Sequence, residues 1–266
     1  MRYASINARV LVICAVVVSL GLPQAVSARP SVTFRATAVP IPRDLANPRH
    51  GTYPGTGFIL GASAALESEW RISGSEYGGS PSPLTWLKVY SPAGVRLNPQ
   101  AFGICSESIL AADGPSGCSK SSSAGFGDGT GVVTFGATRV KEQADVHVFF
   151  RPGGLIFYVH GGTPALIEVM SLGTILPIAR PFAQLFTGEV PLVATVPEAL
   201  YGSLESLKIT LGAAFKKAGR LVSWATLPSH CPARGFKLKA ELSFLDGETV
   251  PVTDTVTCPK RRRAHG

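Results

Sequence analysis

The segment Phe157-Tyr158-Val159-His160-Gly161-Gly162 comes nearest to a known catalytic device. Lipase-like hydrolases use a His-Gly-Gly segment after a strand to supply oxyanion-binding backbone amides. Such a site also needs a serine between flanking glycines, Gly-x-Ser-x-Gly, on a strand-to-helix turn. None follows. The nearest fragments, Val169-Met170-Ser171-Leu172-Gly173 and Gly202-Ser203, lack the flanking glycines. The preferred reading is that His160 ends a strand before a glycine turn; an extracellular esterase-like hydrolase using His160-Gly161-Gly162 is the alternative.

Other candidate chemistry is weaker still. Gly125-Phe126-Gly127-Asp128-Gly129-Thr130-Gly131 has the glycine density of a phosphate-cradling loop but precedes the strand-like Val132–Phe135, whereas phosphate loops open a helix. It reads as a turn. Glu67 and Glu69 share a strand face, but no matched acid supports paired-carboxylate chemistry. His147 alternates with Val146 and Val148 and is expected to point to solvent; His50, His230 and His265 have loop or tail contexts. Trp70, Trp86 and Trp224 could form a sugar platform, although isolated tryptophans of a β protein more often cover a core. No catalytic residue, cofactor site or metal ligand is assigned.

The cysteines say more. After a basic start (Arg2, Arg9), the apolar run Val10–Leu22 and the small residues Val26-Ser27-Ala28, the layout predicts a signal peptide over residues 1–28. The apolar run is about 13 residues, short of the roughly 20 a membrane span needs. Cys14 falls within this leader. Cys105, Cys118, Cys231 and Cys258 remain, an even count that predicts two disulfides in an exported, extracellular protein. Three connectivities are open; proximity favours Cys105 with Cys118 and Cys231 with Cys258. A metal site is disfavoured because no Cys-x-x-Cys pair exists and no histidine lies at finger spacing.

The elements that must position these residues are strands. With 29 glycines and 21 prolines, long helices are hard to place, and short Val, Ile, Thr and Phe runs recur between turns. The expected fold is all-β: an antiparallel β-sandwich in one large domain over residues 29–259, with disulfide-stapled hairpins, followed by a basic disordered tail at 260–266. The clearest strand is Phe236–Phe244, alternating apolar and polar. The next, Thr249–Cys258, is expected to pair with it through a three-residue loop, Asp246-Gly247-Glu248, which sets Val250 opposite Phe244 and Val252 opposite Leu242. Pro251 cannot donate to a ladder and places this strand at a sheet edge. Asp254 falls on the apolar parity, either on a bulge, the preferred reading, or as a buried acid with a partner. Val146–Phe150 and Leu155–His160 flank the turn Arg151-Pro152-Gly153-Gly154 as a hairpin. Leu207–Leu211 is another alternating strand. The apolar stretch Pro164–Pro197 reads as core strands, and the Gly/Ser-rich residues 111–131 as a loop system around the first disulfide.

The order of these features resembles a group of exported actinobacterial proteins of uncharacterised function. The resemblance rests on Pro42-Arg43-Asp44-Leu45, on Phe102-Gly103-Ile104-Cys105, on Cys118 before a Gly-x-Gly turn, and on Cys231-Pro232 and Cys258-Pro259 closing the last hairpin. Ser119 stands where that pattern has proline. The resemblance implies secretion and a β architecture and carries no catalytic residue.

The formal charge of +8 falls by two when the leader is removed. Part of the excess is Lys260-Arg261-Arg262-Arg263, a run able to touch an acidic cell-wall polymer through nonspecific attraction, with no specific nucleic-acid partner implied. The leading expectation is a secreted noncatalytic protein, a cell-surface structural or binding module. A carrier of an apolar ligand is a further alternative, because Leu155–Val196 is apolar enough to line a cavity.

Overall fold

The computed structural model describes residues 29–162, 166–192 and 199–258. The expected signal peptide, Cys14, His265 and the basic tail lie outside the described residues. Within them, fifteen strands and one short α-helix occur in chain order: β1 (Ser31–Val39), β2 (Ala65–Ser73), β3 (Leu84–Pro92), β4 (Arg96–Leu97), α1 (Glu107–Asp113), β5 (Ser123–Phe135), β6 (Thr138–Arg151), β7 (Gly154–Gly161), β8 (Ile167–Pro177), β9 (Phe182–Glu189), β10 (Ala199–Leu211), β11 (Ala214–Lys217), β12 (Arg220–Ser223), β13 (Ala225–Thr226), β14 (Phe236–Phe244) and β15 (Thr249–Val256).

Eleven strands make one antiparallel sheet in the order β1-β2-β10-β5-β6-β7-β8-β9-β3-β14-β15. Its edge strands β1 and β15 come back against each other, and the Asp254 carboxylate accepts a hydrogen bond from the Ala36 backbone N–H at 2.7 Å across the seam. The fold is therefore all-β and antiparallel, as expected, but barrel-like, with one sheet curled on itself in place of the two facing sheets of a sandwich. Alternation prescribes one dry and one wet face per strand. It is silent on whether the dry face meets a second sheet or the far wall of its own.

Inward parity is consistent around the wall. Phe34 and Trp70 stack at 4.1 Å, and Phe236, Leu238, Ala240, Leu242 and Phe244 of β14 are all buried. Each large apolar side chain buried this way contributes about 1.5–3 kcal/mol. The expected hairpins form: β6 and β7 meet through Pro152-Gly153, with Gly153 at φ 71°, and β15 lies at the sheet edge, as Pro251 requires.

Three expectations are corrected. The β14–β15 register puts Leu242 opposite Val250 and Ala240 opposite Val252, two residues from the expected pairing. The loop does have three residues, but they are Leu245-Asp246-Gly247, closed by Phe244 N–H donating to Glu248 C=O at 2.9 Å. Gly247 then occupies the last loop position at φ 89°, the left-handed slot that such loops reserve for glycine. Asp254 sits in an unbroken register opposite Leu238 and is the partnered acid, not a bulge.

The third correction concerns residues 111–131. They contain the end of α1 and the first part of β5, and the glycine run is a strand, not a turn. Gly125, Gly127 and Gly129 pair with Leu211, Ile209 and Leu207 of β10 on the inward face. A Cβ at Gly125 or Gly127 would run into the carbonyl oxygens of Thr210 and Lys208, so glycine at every second residue lets two strands approach where the sheet bends.

The two favoured cysteine pairings are the ones brought together, with Cα separations of 5.6 Å for Cys105–Cys118 and 6.0 Å for Cys231–Cys258, inside the usual disulfide range. The first pins α1 to the outer barrel wall, where Cys105 and Leu110 pack on Phe149, Ile156 and Tyr158. The second ties the exit of β15 to the entry of β14.

Asp254→Ala should lower stability to urea by about 1.5–3 kcal/mol, the range for a hydrogen bond to a charged group. Asp254→Asn, which keeps an acceptor, should lose less. Equal unfolding midpoints for Asp254→Ala and the parent chain would show that the seam does not depend on this carboxylate.

Candidate functional site

The barrel interior is not filled. A cavity of about 190 Å³ lies toward one end, between the start of β2, β7 and β14 and the close of β1, β3 and β10. Over it lies the β4–β13 ribbon, held by the Ser63–Thr226 bridge and by Leu227 N–H donating to Ala62 C=O at 2.9 Å. Three groups of apolar side chains form the wall: Phe34 and Trp70 beside the seam, Leu155, Phe157 and Phe186 opposite, and Leu207, Ile209 and Leu211 from β10.

Among the described residues of this wall none is charged, and the few polar groups are mostly occupied. Ser68 Oγ accepts from Trp70 Nε1 at 3.0 Å. Ser91 Oγ donates to Gln184 Oε1 at 2.6 Å, while Gln184 Nε2 donates to Val95 C=O at 3.2 Å. Trp224, only 7% exposed, also stands in the wall, and its indole Nε1 has no hydrogen-bond partner among the described residues. A space lined this way offers water few hydrogen-bond partners and suits apolar molecules better.

The stretch Leu155–Val196 supplies only part of this wall, through Leu155, Phe157, Ile175, Gln184 and Phe186; residues 193–198 lie outside the description. The rest comes from β1, β2, β3, β10, β14, β15 and the ribbon. Inward parity of β10 and β14 was readable from the sequence. That those parities converge on one space was not, because convergence depends on strand order.

The hydrolase fragment lies elsewhere. His160 is on the outer face, where its Nδ1 is 3.6 Å from Glu168 Oε1 and its ring lies parallel to Tyr158. Tyr158 OH donates to Glu168 Oε1 at 2.7 Å. Burial, reinforced by the hydrogen bond to Glu168, pushes the phenol up to about 12. Ser171 pairs with Phe157, on the inward parity, and donates to the Glu189 carbonyl. The sheet thus separates Ser171 from His160.

The other singled-out residues disperse. Glu67 and Glu69 share the outer face, as expected, with Lys208 Nζ between them at 3.3 and 3.5 Å. Trp86 is on the outside and donates to Thr187 Oγ1 at 2.9 Å, while Trp70 and Trp224 are interior, so the three make no platform. His50 lies 3.4 Å from Asp44. An outer groove of about 630 Å³ brings Arg43, Asp44, Lys120 and His147 beside Ser119 and Ser121, next to the first disulfide.

The chain was also compared with family models, curated proteins and solved structures. None of them matches.

His147 is on the outer face, as expected, but half-buried. Burial pushes its imidazole below the usual 6.5, with His160 acting in the same direction and Asp145 opposing. The unfolded chain therefore binds more protons at this residue than the folded one. Its stabilising contribution is complete above pH 6.5 and is lost as pH falls below that value toward the folded pKa. A melting series from pH 8 to 5 should show this decline, and His147→Gln should flatten it; an unchanged slope in the variant would assign the decline to other groups.

Proposed function

We propose that this chain is an exported, noncatalytic binding protein that carries a small apolar molecule inside its β-barrel. The observation that carries this reading is the cavity of about 190 Å³ whose wall is apolar and uncharged. Protein interiors normally close such spaces, because each lost contact costs dispersion energy. The size constrains the cargo. It exceeds the about 150 Å³ that accommodates benzene and falls below the roughly 300 Å³ at which drug-sized pockets begin.

The esterase alternative would need a nucleophile beside His160, and the serine of the nearest motif fragment faces the barrel interior. Export is supported by the two cysteine pairs and by the basic, apolar and small-residue layout of residues 1–28. No helix among the described residues is long and apolar enough to cross a membrane. The resemblance to exported actinobacterial proteins points the same way. In this reading Lys260-Arg261-Arg262-Arg263 holds the carrier at an acidic wall polymer by charge. Changing all four residues to serine should abolish retention on polyglutamate resin at low salt, and retention unaffected by that change or by 0.5 M salt would remove the tail from the proposal.

Native mass spectrometry of the protein secreted by its own host should reveal a retained apolar mass. Independently, toluene at a hundredfold excess over its dissociation constant should stabilise the fold by about 2.7 kcal/mol. Ala38→Phe, which pushes a ring from β1 into the cavity, should abolish that stabilisation. No retained mass and no toluene shift in the parent chain would reject the carrier.

A further inference from the structure

The outer groove of about 630 Å³ falls within the range of ligand pockets, roughly 300–1,000 Å³. Its two permanent cations come from loops that the backbone holds in place. Arg43 N–H donates to Gly51 C=O and Arg43 Nε to Thr52 C=O, both at 2.9 Å, which leaves the terminal guanidinium nitrogens uncommitted among the described residues. Lys120 opens the turn Lys120–Ser122, which is pinned by Gly103 N–H donating to Ser121 C=O at 3.1 Å and by the first disulfide at Cys118. Arg43 and Lys120 are both exposed, and neither has an ion-pair partner among the described residues.

Among the described residues, Asp44 is the acid of this lining, and its carboxylate is already engaged by its own loop. One oxygen accepts from Ala46 N–H at 3.0 Å, and the other lies 3.4 Å from His50 Nδ1. Lys120 acts on it only from beyond ion-pair distance. His147, held below its usual 6.5 by burial, adds no charge at pH 7. The groove therefore presents two cations that its own acid does not answer.

The rest of the lining suits a ring that carries hydroxyls. Tyr53 and Phe215 line it as partly exposed rings, and Phe215 is set edge-on to Phe102 at 5.3 Å. Such rings pack against the C–H face of a sugar. The Ser119 and Ser121 hydroxyls lie 3.0 Å apart; one donates to the other, which leaves an O–H and free lone pairs for a ligand. Gly103 makes room for them, since a Cβ there would lie 2.5 Å from Ser121 Oγ. We propose that this groove binds an acidic sugar residue, with its anionic group on Arg43 and Lys120 and its hydroxyls on Ser119 and Ser121. A guanidinium offers two parallel N–H groups to a carboxylate or a phosphate. A neutral sugar would leave both cations unanswered, and a simple anion would leave the rings and hydroxyls unused. The inference does not rest on the barrel cavity or its cargo, and it gives the chain a specific grip on the kind of acidic polymer that its tail attracts by charge alone.

The test uses the full mature chain carrying Lys260→Ser, Arg261→Ser, Arg262→Ser and Arg263→Ser, so that the tail cannot contribute. At low salt, sodium glucuronate and glucose 6-phosphate, titrated separately into the 15N-labelled protein, should shift the backbone amides of Arg43, Lys120 and Ser121 to saturation. The tighter of the two identifies the anionic group as carboxylate or phosphate. Glucose and inorganic phosphate, each supplying half of the chemistry, should bind at least about tenfold more weakly. Lys120→Gln should weaken the acidic sugar about threefold to tenfold, between the worth of an exposed ion pair and that of a charge-assisted hydrogen bond. Arg43→Gln should act in the same direction; if it unsettles its loop, Lys120→Gln decides alone. Glucose binding as tightly as glucuronate would show the cations idle, and inorganic phosphate binding as tightly as either acidic sugar would show an anion patch without a sugar site. Either result overturns the proposal, as does the absence of saturating shifts with both acidic sugars. None of these outcomes bears on the carrier, which toluene tests separately.

Discussion

Everything in the interior depends on how the two edges of an eleven-stranded sheet are closed. An open edge presents unpaired backbone groups and lets water reach the inward side chains. Here β15 carries Pro251, which cannot extend a ladder, so regular strand pairing cannot complete the seam along its whole length. Asp254 takes over at that point. Its Oδ2 accepts from Ala36 N–H while its Oδ1 accepts from Thr255 N–H, so one carboxylate serves a backbone donor on each side. The acid that looks misplaced among the valines of β15 is therefore the group that closes the seam beside Phe34 and Trp70.

Closure also needs bending, and the wall bends where side chains are missing. Along β5 the inward positions 125, 127 and 129 are glycine, and their partners on β10 are Leu211, Ile209 and Leu207. The large side chains of one strand overlie the bare backbone of the next, which allows tight curvature without a gap. A similar close approach recurs at Gly173, which pairs with Gly188 and where an added Cβ would strike the Phe186 ring. Two close approaches of this kind draw the sheet around.

Much of this was legible in the sequence and some was not, for definite reasons. The strand at Phe236–Phe244, the hairpin at Pro152-Gly153, the edge at Pro251 and both cysteine pairings follow from period-two alternation, turn chemistry and proximity, all of them local. The register of β14 against β15 failed by one pair because parity fixes register only to within two residues. The left-handed demand of a three-residue loop, met by Gly247, would have resolved it. The glycine run was misread because glycine suggests turns; its strict spacing of two, with Phe126, Asp128 and Thr130 between, is the strand signal that was present. Barrel against sandwich could not be read, since strand order is a long-range property: β3 lies between β9 and β14 although 89 residues separate the end of β3 from the start of β9.

The site itself shows the limits of local reading most clearly. His160-Gly161-Gly162 drew attention by its composition, yet it belongs to an outer face shared with Tyr158 and Glu168. Trp224 offered no pattern at all, being one aromatic residue between a serine and an alanine. Its significance arises only when the fold places it against a cavity and leaves it without an acceptor, at a cost of about 1–3 kcal/mol for a buried unpaired group. Local rules of packing and polar satisfaction are obeyed almost everywhere else along the wall, and a sequence that satisfies them elsewhere tends to break them where it functions. The departure here is an unfilled apolar space, which an apolar ligand would fill.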